Sequence, residues 1–467
     1  MATSQTAQKS YYCGKIYVLT ILYCYRQDNM NYVQRGFFWI GVYLCLVLTP
    51  LFVLLLTPGP SGSGFWWDFS IALGFAGTSM MGVMFVLTAR FRRATAPFGI
   101  DLIYYFHRWI ALVALVFIIT HPAILIFLEP SLLGDLRPSV ISWHMLAGVA
   151  SIVALTALMT TSLWRQQLRI NYDMWRICHA LLAITALGLA IVHIEGVGNY
   201  VSSPWKRLLW ATISACCLAL LFYVRLIKPL ELLRHPYRVK QVVKERGDAW
   251  TLVLRPDGHK GFTFLPGQFA WLTLYHSPFA LKEHPFSISS SAMQPETVHF
   301  TIKELGDFTA RIKDAIPGQT AYLDAPHGAF SIDRHPSSDY VFVAGGIGIA
   351  PIMSMLRTLA DRGDGRSLLL IYAYKTWEDL TFQEELEKLK EQLNLRVVYV
   401  LENPPDDWQG ESGFVTDELL VRYLPDVPER YEYYLCGPAV MTAIVEKTLQ
   451  RHAVPLYRIH SELFNLV

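Results

Sequence analysis

Two stretches of this chain place histidines where lipid-facing sequence should carry none. Tyr104–Ile124 reads YYFHRWIALVALVFIITHPAI, with His107 and His121 fourteen residues apart, and Trp175–Gly196 reads WRICHALLAITALGLAIVHIEG, with His179 and His193 at the same interval. At about 100° per residue, fourteen steps fall roughly 40° short of four full turns, so each pair shares one helix face with about 21 Å between its members. Each helix therefore offers one imidazole near each membrane surface. Polar groups at that depth are costly and need partners, so a matched interval on two helices points to ligands rather than to unrelated buried histidines.

The helices themselves follow from hydropathy. The 467 residues are 53% hydrophobic and only 17% charged, with a mean hydropathy of +0.30, which is too apolar for a wholly soluble chain. Six apolar runs, at about 36–57, 69–89, 103–127, 141–162, 177–195 and 206–227, approach the ~20 residues that a bilayer requires. This predicts an all-α six-helix membrane bundle over 36–230, preceded by an N-terminal extension over 1–35. The run IYVLTILYCY (Ile16–Tyr25) reads as interfacial or poorly structured; it lacks a small-residue cleavage site, and Met30 is an alternative start to Met1.

Lys and Arg flank the spans unevenly. Lys9, Lys15, Arg26 and Arg35 precede the first span, Arg90, Arg92 and Arg93 follow the second, Arg165, Arg169 and Arg176 lie between the fourth and fifth, and Arg225, Lys228 and Arg234 follow the sixth. The opposite loops are nearly free of them, apart from Arg137, Lys206 and Arg207. The positive-inside rule then predicts a cell-membrane protein with both termini cytoplasmic. Spans three and five cross in the same direction, so His107 is level with His179 and His121 with His193. Two facing pairs inside a bundle suit two stacked haems, each with two axial nitrogens. Arg108 and Arg176 flank the inner pair, as propionate partners or as anchors on the cytoplasmic side. His144, near the outer end of span four, reads as an interfacial residue or one that shapes a pocket there.

The net charge of +2 is spread out, and nothing suggests nucleic acid. The seven cysteines form no CxxC pair, which removes the zinc and iron–sulfur spacings and leaves them as small core residues.

Beyond Pro229 charges become frequent and short β-type runs alternate with turns such as PDGHKG and LPGQ. Residues 235–334 read as antiparallel strands forming a small β-barrel, and 335–467 as strand-then-helix units forming an α/β parallel sheet. In LKEHPFSISSS, His284, Pro285, Phe286 and Ser287 lie on a strand where they can meet a flat ring and its phosphate tail. Gly306-Asp307-Phe308-Thr309 precedes a short helix whose free N–H groups would favour a pyrophosphate. VFVAGGIGIAP is a strand, a glycine turn (Gly345, Gly346, Gly348) and a helix beginning near Pro351, and YLCGPAVM supplies a second such turn through Cys436, Gly437 and Pro438. The strand LLLIYAY ends at Lys375 rather than at an acidic residue, which favours a 2′-phosphate and hence NADPH. No EF-hand loop is present in the sequence.

The order HPFSISS, LGDFT, GGIGIAP, LCGP and a final ELF resembles the flavin and pyridine-nucleotide module of ferredoxin–NADP reductases. Its fusion to six spans with doubled histidines resembles the ferric reductase and NADPH oxidase superfamily. That resemblance implies that His107, His121, His179 and His193 ligate two b-type haems and that His284, Pro285, Phe286, Ser287, Gly306 and Thr309 hold FAD. It implies that Gly345, Gly346, Gly348, Pro351 and Lys375 bind NADPH, that Cys436, Gly437 and Pro438 lie by the nicotinamide, and that Phe464 covers the flavin until nicotinamide displaces it. Cys436 and Phe464 would then serve catalysis. Two features depart from the pattern: Asn465, Leu466 and Val467 follow Phe464, and Leu125 stands where several oxidases carry a further histidine. The implied activity is electron transfer from cytosolic NADPH through FAD and the haems to an acceptor outside, dioxygen (giving superoxide) or ferric iron. A reductase of ferric chelates or of a periplasmic redox partner shares the same internal wiring. A haem carrier without turnover is the remaining reading, and the intact glycine and CGP turns argue against it.

Overall fold

The computed structural model describes residues 32–55, 64–90, 100–132 and 140–462. The extension expected over 1–35, except for the first turn of the first helix, lies outside these residues, as does Phe464.

The N-terminal half is helical: α1 (Tyr32–Leu55), α2 (Gly64–Thr88), α3 (Ile100–Leu128), α4 (Trp143–Leu163), α5 (Tyr172–Val197) and α6 (Pro204–Arg234). Five of them, α2 to α6, are long and apolar enough to cross a bilayer. The sixth expected span falls on α1, whose shorter apolar part is Phe37–Thr49. Local chemistry sets several ends. The Asn171 side chain accepts from the Asp173 N–H at 2.9 Å to start α5, and Gly198, at φ +66°, ends it. Pro204 opens α6 after Ser203. Pro122 lies inside α3 directly after His121, where it removes one backbone donor from the helix ladder.

Lipid is as apolar as leucine, so helix contacts inside a bilayer rely on small residues and occasional hydrogen bonds. α4 and α5 follow this rule. Ser151 donates to the Ala186 carbonyl at 2.7 Å, and both residues are buried. The bundle core gathers Met80, Met81 and Met84 of α2, Ala114 and Ile118 of α3, Leu155 and Leu158 of α4 and Leu187 of α5. Within α6 one stretch, Tyr223–Ile227, is π-helical.

Beyond α6 come β1 (Tyr237–Lys244), β2 (Ala249–Pro256), β3 (Phe269–Leu274), β4 (His284–Ser287), β5 (Val298–Lys303), the one-turn helix α7 (Asp307–Ala310) and β6 (Thr320–His327). The strands form one antiparallel sheet in the order β4-β3-β6-β1-β2-β5. The sheet curls into a half-barrel whose edges meet through the Ile288–Phe300 bridge, and it encloses Leu252, Leu254, Leu272, Ile288 and Phe300.

The last part contains β7 (Tyr340–Gly345), α8 (Ile349–Asp361), β8 (Leu368–Tyr374), α9 (Gln383–Gln392), β9 (Leu395–Leu401), β10 (Glu411–Ser412), α10 (Asp417–Tyr423), β11 (Glu432–Cys436), α11 (Ala439–Arg451) and β12 (Ile459–Glu462). All six strands run parallel in the order β10-β9-β8-β7-β11-β12. The chain leaves β7 toward β8 on one side and returns to β11 on the other, so the sheet has its topological switch point between β7 and β11.

Candidate functional site

Three of the four intramembrane histidines are held in ways that dictate their tautomer. His121 Nδ1 lies 3.0 Å from the Ser70 carbonyl oxygen, and His193 Nδ1 lies 2.9 Å from the His144 carbonyl oxygen. A carbonyl only accepts, so Nδ1 carries the proton in both rings and Nε2 keeps its lone pair. Ser162 gives its hydroxyl proton to the Leu158 carbonyl at 2.7 Å and sits 3.1 Å from His179 Nδ1. Its oxygen therefore accepts from His179, which leaves that Nε2 bare as well. This is the outer-shell arrangement that orients metal-bound imidazoles. His107 differs: its Nδ1 is buried with no hydrogen-bond partner among the described residues.

Glycines make room for the His121 and His193 rings. A Cβ on Gly74 of α2 would lie 3.2 Å from the His121 ring, and one on Gly148 of α4 would lie 2.7 Å from His193 Nδ1. On the other level His107 and His179 face each other with ring centres 6.3 Å apart and planes tilted by 52°. Two imidazoles on opposite sides of one metal, each at about 2.0–2.1 Å, have ring centres roughly 6 Å apart, so the pair fits a bis-histidine iron. No group of three or more His, Cys, Asp or Glu converges on a point among the described residues; a metal held by such pairs needs a prosthetic group for its other ligands. His144 contributes its carbonyl rather than its ring, whose Nε2 lies 3.0 Å from Ser142 Oγ. Of the two cations near the His107–His179 pair, Arg108 is exposed and Arg176 is ion-paired with Glu283.

A cavity of about 630 Å³ opens between the half-barrel and the bundle. The expected flavin residues His284, Pro285, Phe286, Ser287, Gly306 and Thr309 all line it, together with Ile347 from the glycine turn. The Ser287 hydroxyl is buried in this wall with no hydrogen-bond partner among the described residues, and such an atom is expensive unless a ligand satisfies it. His284 stacks on Phe308 with ring centres 3.9 Å apart, and Phe286 stacks on the same ring at 5.9 Å, giving an aromatic wall suited to a flat heterocycle. The residues fit FAD. Thr309 also has a local part: its Oγ1 accepts from the N–H groups of Leu305 and Gly306, both at 2.9 Å, and so caps the one-turn helix. Gly306 borders open space. Burial, together with the Arg176 cation, holds the His284 imidazole below its usual range.

The two glycine turns meet at the switch point. A Cβ on Gly348 would lie 2.2 Å from the Cys436 carbonyl oxygen, and one on Gly345 would lie 2.7 Å from Pro438 Cδ. A Cβ on Gly437 would in turn lie 2.9 Å from the Gly345 nitrogen. The close approach at Gly348 is thus taken by this chain's own backbone, whereas Gly346, at φ +55°, faces open space. Pro351 is buried in the first turn of α8, and Lys375 is exposed just past β8. β12 delivers Glu462 to the cavity wall.

Sequence reasoning missed the outer-shell groups Ser70 and Ser162 and the cavity residues of the membrane half, Asn171, Tyr172 and Asp173. Serines inside apolar spans carried a signal for the first two, since a buried imidazole needs an acceptor. Nothing local marks the other three.

Residues 73–190 match the family described as a ferric reductase like transmembrane component, 241–343 an FAD-binding domain, and 342–447 an oxidoreductase NAD-binding domain. The glycine betaine monooxygenase reductase subunit of Pseudomonas aeruginosa is 29% identical over 237 residues, covering 50% of this chain and 64% of the relative. NADH-cytochrome b5 reductase 1 of Pyricularia oryzae is 30% identical over 181 residues, covering 37% and 59%. The chain therefore spans less than two thirds of the length of these curated relatives. The flavohem-like FAD/NAD binding domain of a nitric oxide dioxygenase from Vibrio cholerae is a solved neighbour at 23% identity and a TM-score of 0.44, covering 49% of this chain and 98% of that one. The chain thus joins a ferric-reductase-like transmembrane domain to FAD- and NAD-binding domains, the combination that matches the ferric reductase and NADPH oxidase superfamily.

Proposed function

We propose that the chain carries electrons from cytosolic NADPH, by way of FAD and two b-type haems, to an acceptor on the outer side of the cell membrane, either dioxygen or a ferric species. One observation carries this reading: the flavin cavity shares its wall with Tyr172 and Asp173, in the first turn of the helix that presents His179. FAD, when bound, converts a two-electron donor into one-electron steps, and haem iron accepts single electrons.

The residues of this chain divide the work. His107 and His179 would hold one iron and His121 and His193 the other, their Nε2 atoms left bare by the bonds at Nδ1 described for three of them. Ser287 would offer its unpartnered hydroxyl to the flavin, with His284, Pro285 and Phe286 along the ring and Gly306 giving room for the tail. Gly346 leaves backbone space for the dinucleotide, while Gly345, Gly348 and Pro351 shape the turn. Cys436, Gly437 and Pro438 form the opposite lip of the crevice, beside the nicotinamide. Lys375 is a cation for a 2′-phosphate, and Phe464 would cover the flavin. The domain limits 36–230, 235–334 and 335–467, the six-span count and the cytoplasmic termini belong to the same proposal and rest on hydropathy and the Lys/Arg asymmetry.

The test uses purified full-length chain supplied with FAD and haem. NADPH should reduce two haems per chain, and an acceptor panel under air and under anaerobiosis should separate superoxide formation from ferric-chelate reduction. Haem bands that stay oxidised under NADPH and FAD would refute the reading.

A further inference from the structure

The bundle and the half-barrel meet at a buried group of charges that borders one cross-strand row of the sheet. In that row Pro285 of β4 pairs with Trp271 of β3, and Trp271 pairs with Asp324 of β6. A membrane helix grips each member or its neighbour. Arg90, two residues beyond α2 and at φ +55°, places its guanidinium 3.7 Å above the Trp271 ring and Nη1 2.8 Å from Glu283 Oε1. Arg176 of α5 pairs with the same Glu283 carboxylate and also donates to the Glu283 backbone carbonyl at 3.2 Å. Lys228 of α6 lies 2.7 Å from Asp324 Oδ2, and His327 Nε2 lies 3.0 Å from Oδ1.

The side chains of Arg90, Glu283 and Asp324 are only 14%, 19% and 6% exposed, so these are largely dehydrated ions. Removing one partner from such a group strands the others without water, which is strongly destabilising, whereas the intact set contributes geometry more than net stability. Glu283 holds the central place. It directly precedes His284, Pro285, Phe286 and Ser287, the flavin wall, and Arg176 stands three residues before His179 on one face of α5.

We propose that Glu283 is a positioning residue: gripped by Arg90 and Arg176, it fixes the flavin-binding strand against the end of the bundle that carries His107 and His179. The inference rests on the electron-transfer function proposed above. Glu283 does not line the cavity, so its loss should leave flavin binding and NADPH oxidation at the flavin in place while the distance from flavin to bundle loosens. Misplacement by about 1 Å can cost roughly a hundredfold in a step that depends on orientation.

The experiment compares full-length wild type with Glu283→Gln, Glu283→Asp and Arg90→Gln, the last keeping the carboxylate and removing one of its cations. Rapid-mixing spectra under anaerobiosis follow flavin bleaching and haem reduction separately, and hydrogen exchange on the same proteins without NADPH follows the amides of β3 and β4. The expected result is flavin bleaching within about twofold of wild type, haem reduction slower by about tenfold to a hundredfold in Glu283→Gln and Arg90→Gln, faster exchange in Phe269–Leu274 and His284–Ser287, and partial recovery in Glu283→Asp. Unchanged haem reduction with unchanged exchange would overturn the proposal. So would parallel loss of flavin bleaching, which would make Glu283 part of the flavin site. A wild-type chain that takes up no haem would defeat the electron-transfer reading, and the exchange measurement would still decide the role of Glu283.

Discussion

His193 Nδ1 lies 2.9 Å from the carbonyl oxygen of His144, one helix away. That contact keeps the imidazole proton on Nδ1 and turns Nε2 toward any metal the bundle accepts. Ser70 performs the same service for His121 from α2, so these two imidazoles are oriented by different neighbours.

Substituting His107 or His179 by Ala should remove one haem, and substituting His121 or His193 should remove the other, as counted by pyridine haemochrome. Under NADPH the His121 and His193 variants should still reduce their remaining haem. The His107 and His179 variants should leave theirs oxidised, because the flavin cavity adjoins α5 at the His179 end. Two haems in every variant would end the ligand assignment. Ser70→Ala, which removes the hydroxyl 3.1 Å from His121 Nδ1 but leaves the carbonyl, should weaken haem retention by no more than the lower end of the roughly 10–100-fold typical of outer-shell losses.

Gly148→Ala should displace His193, since the new Cβ would lie 2.7 Å from its Nδ1, and half of the haem should be lost. Gly188→Ala on α5 has no atom within 4 Å of its new Cβ and should retain both haems. Equal haem content in the two variants would show that the His193 ring has another place to go.

The two glycines of the nucleotide turn should separate under substitution. Gly348→Ala drives a methyl into the Cys436 carbonyl and should cost about 1–3 kcal/mol of stability, seen as an earlier melt of the nucleotide domain. Asn tolerates φ > 0, and Gly346 borders open space, so Gly346→Asn should melt like wild type while the KM for NADPH rises. A Gly346→Asn chain with unaltered KM would place the dinucleotide elsewhere.

Lys375→Glu should lower the preference for NADPH over NADH by about tenfold, the equivalent of roughly 1.4 kcal/mol, measured as the ratio of the two kcat/KM values. An unchanged ratio would mean that another residue reads the 2′-phosphate.

Acid should undock the two halves in a defined window. Burial alone would raise the carboxyls of Glu283 and Asp324. Arg90 and Arg176 at the first, and His327, Lys228 and Arg90 at the second, outweigh it and hold both below the ordinary carboxylate range. Groups with depressed values stabilise fully above the unfolded value of about 4 and lose that contribution as pH falls through the folded one. Hydrogen exchange in β3 should therefore be flat, after correction for intrinsic rates, from pH 8 to 5 and rise only below about pH 4. A rise between pH 5 and 7 would point to a histidine instead.

Much of this molecule is written in periodicity. Apolar runs near bilayer length and the fourteen-residue histidine spacing depend only on helix geometry and on the cost of polar groups in lipid, so the helices α2 to α6 and the facing of His107 and His179 were legible from one chain. The strand-turn-helix units around Gly346 and Cys436 were legible for a similar reason, because glycine and proline act locally. Three things required the tertiary structure. The tautomers of His121, His193 and His179 come from acceptors in Ser70, His144 and Ser162, which lie 51, 49 and 17 positions away in the chain, respectively. The crowding at Gly348 comes from the backbone of Cys436, 88 positions later. The burial of Arg90, Arg176 and Lys228 against Glu283 and Asp324 turns residues that read as cytoplasmic anchors into the joint between two domains. In each case the partner is distant in sequence, and neither propensity nor spacing records which distant groups the packed chain brings within a hydrogen bond.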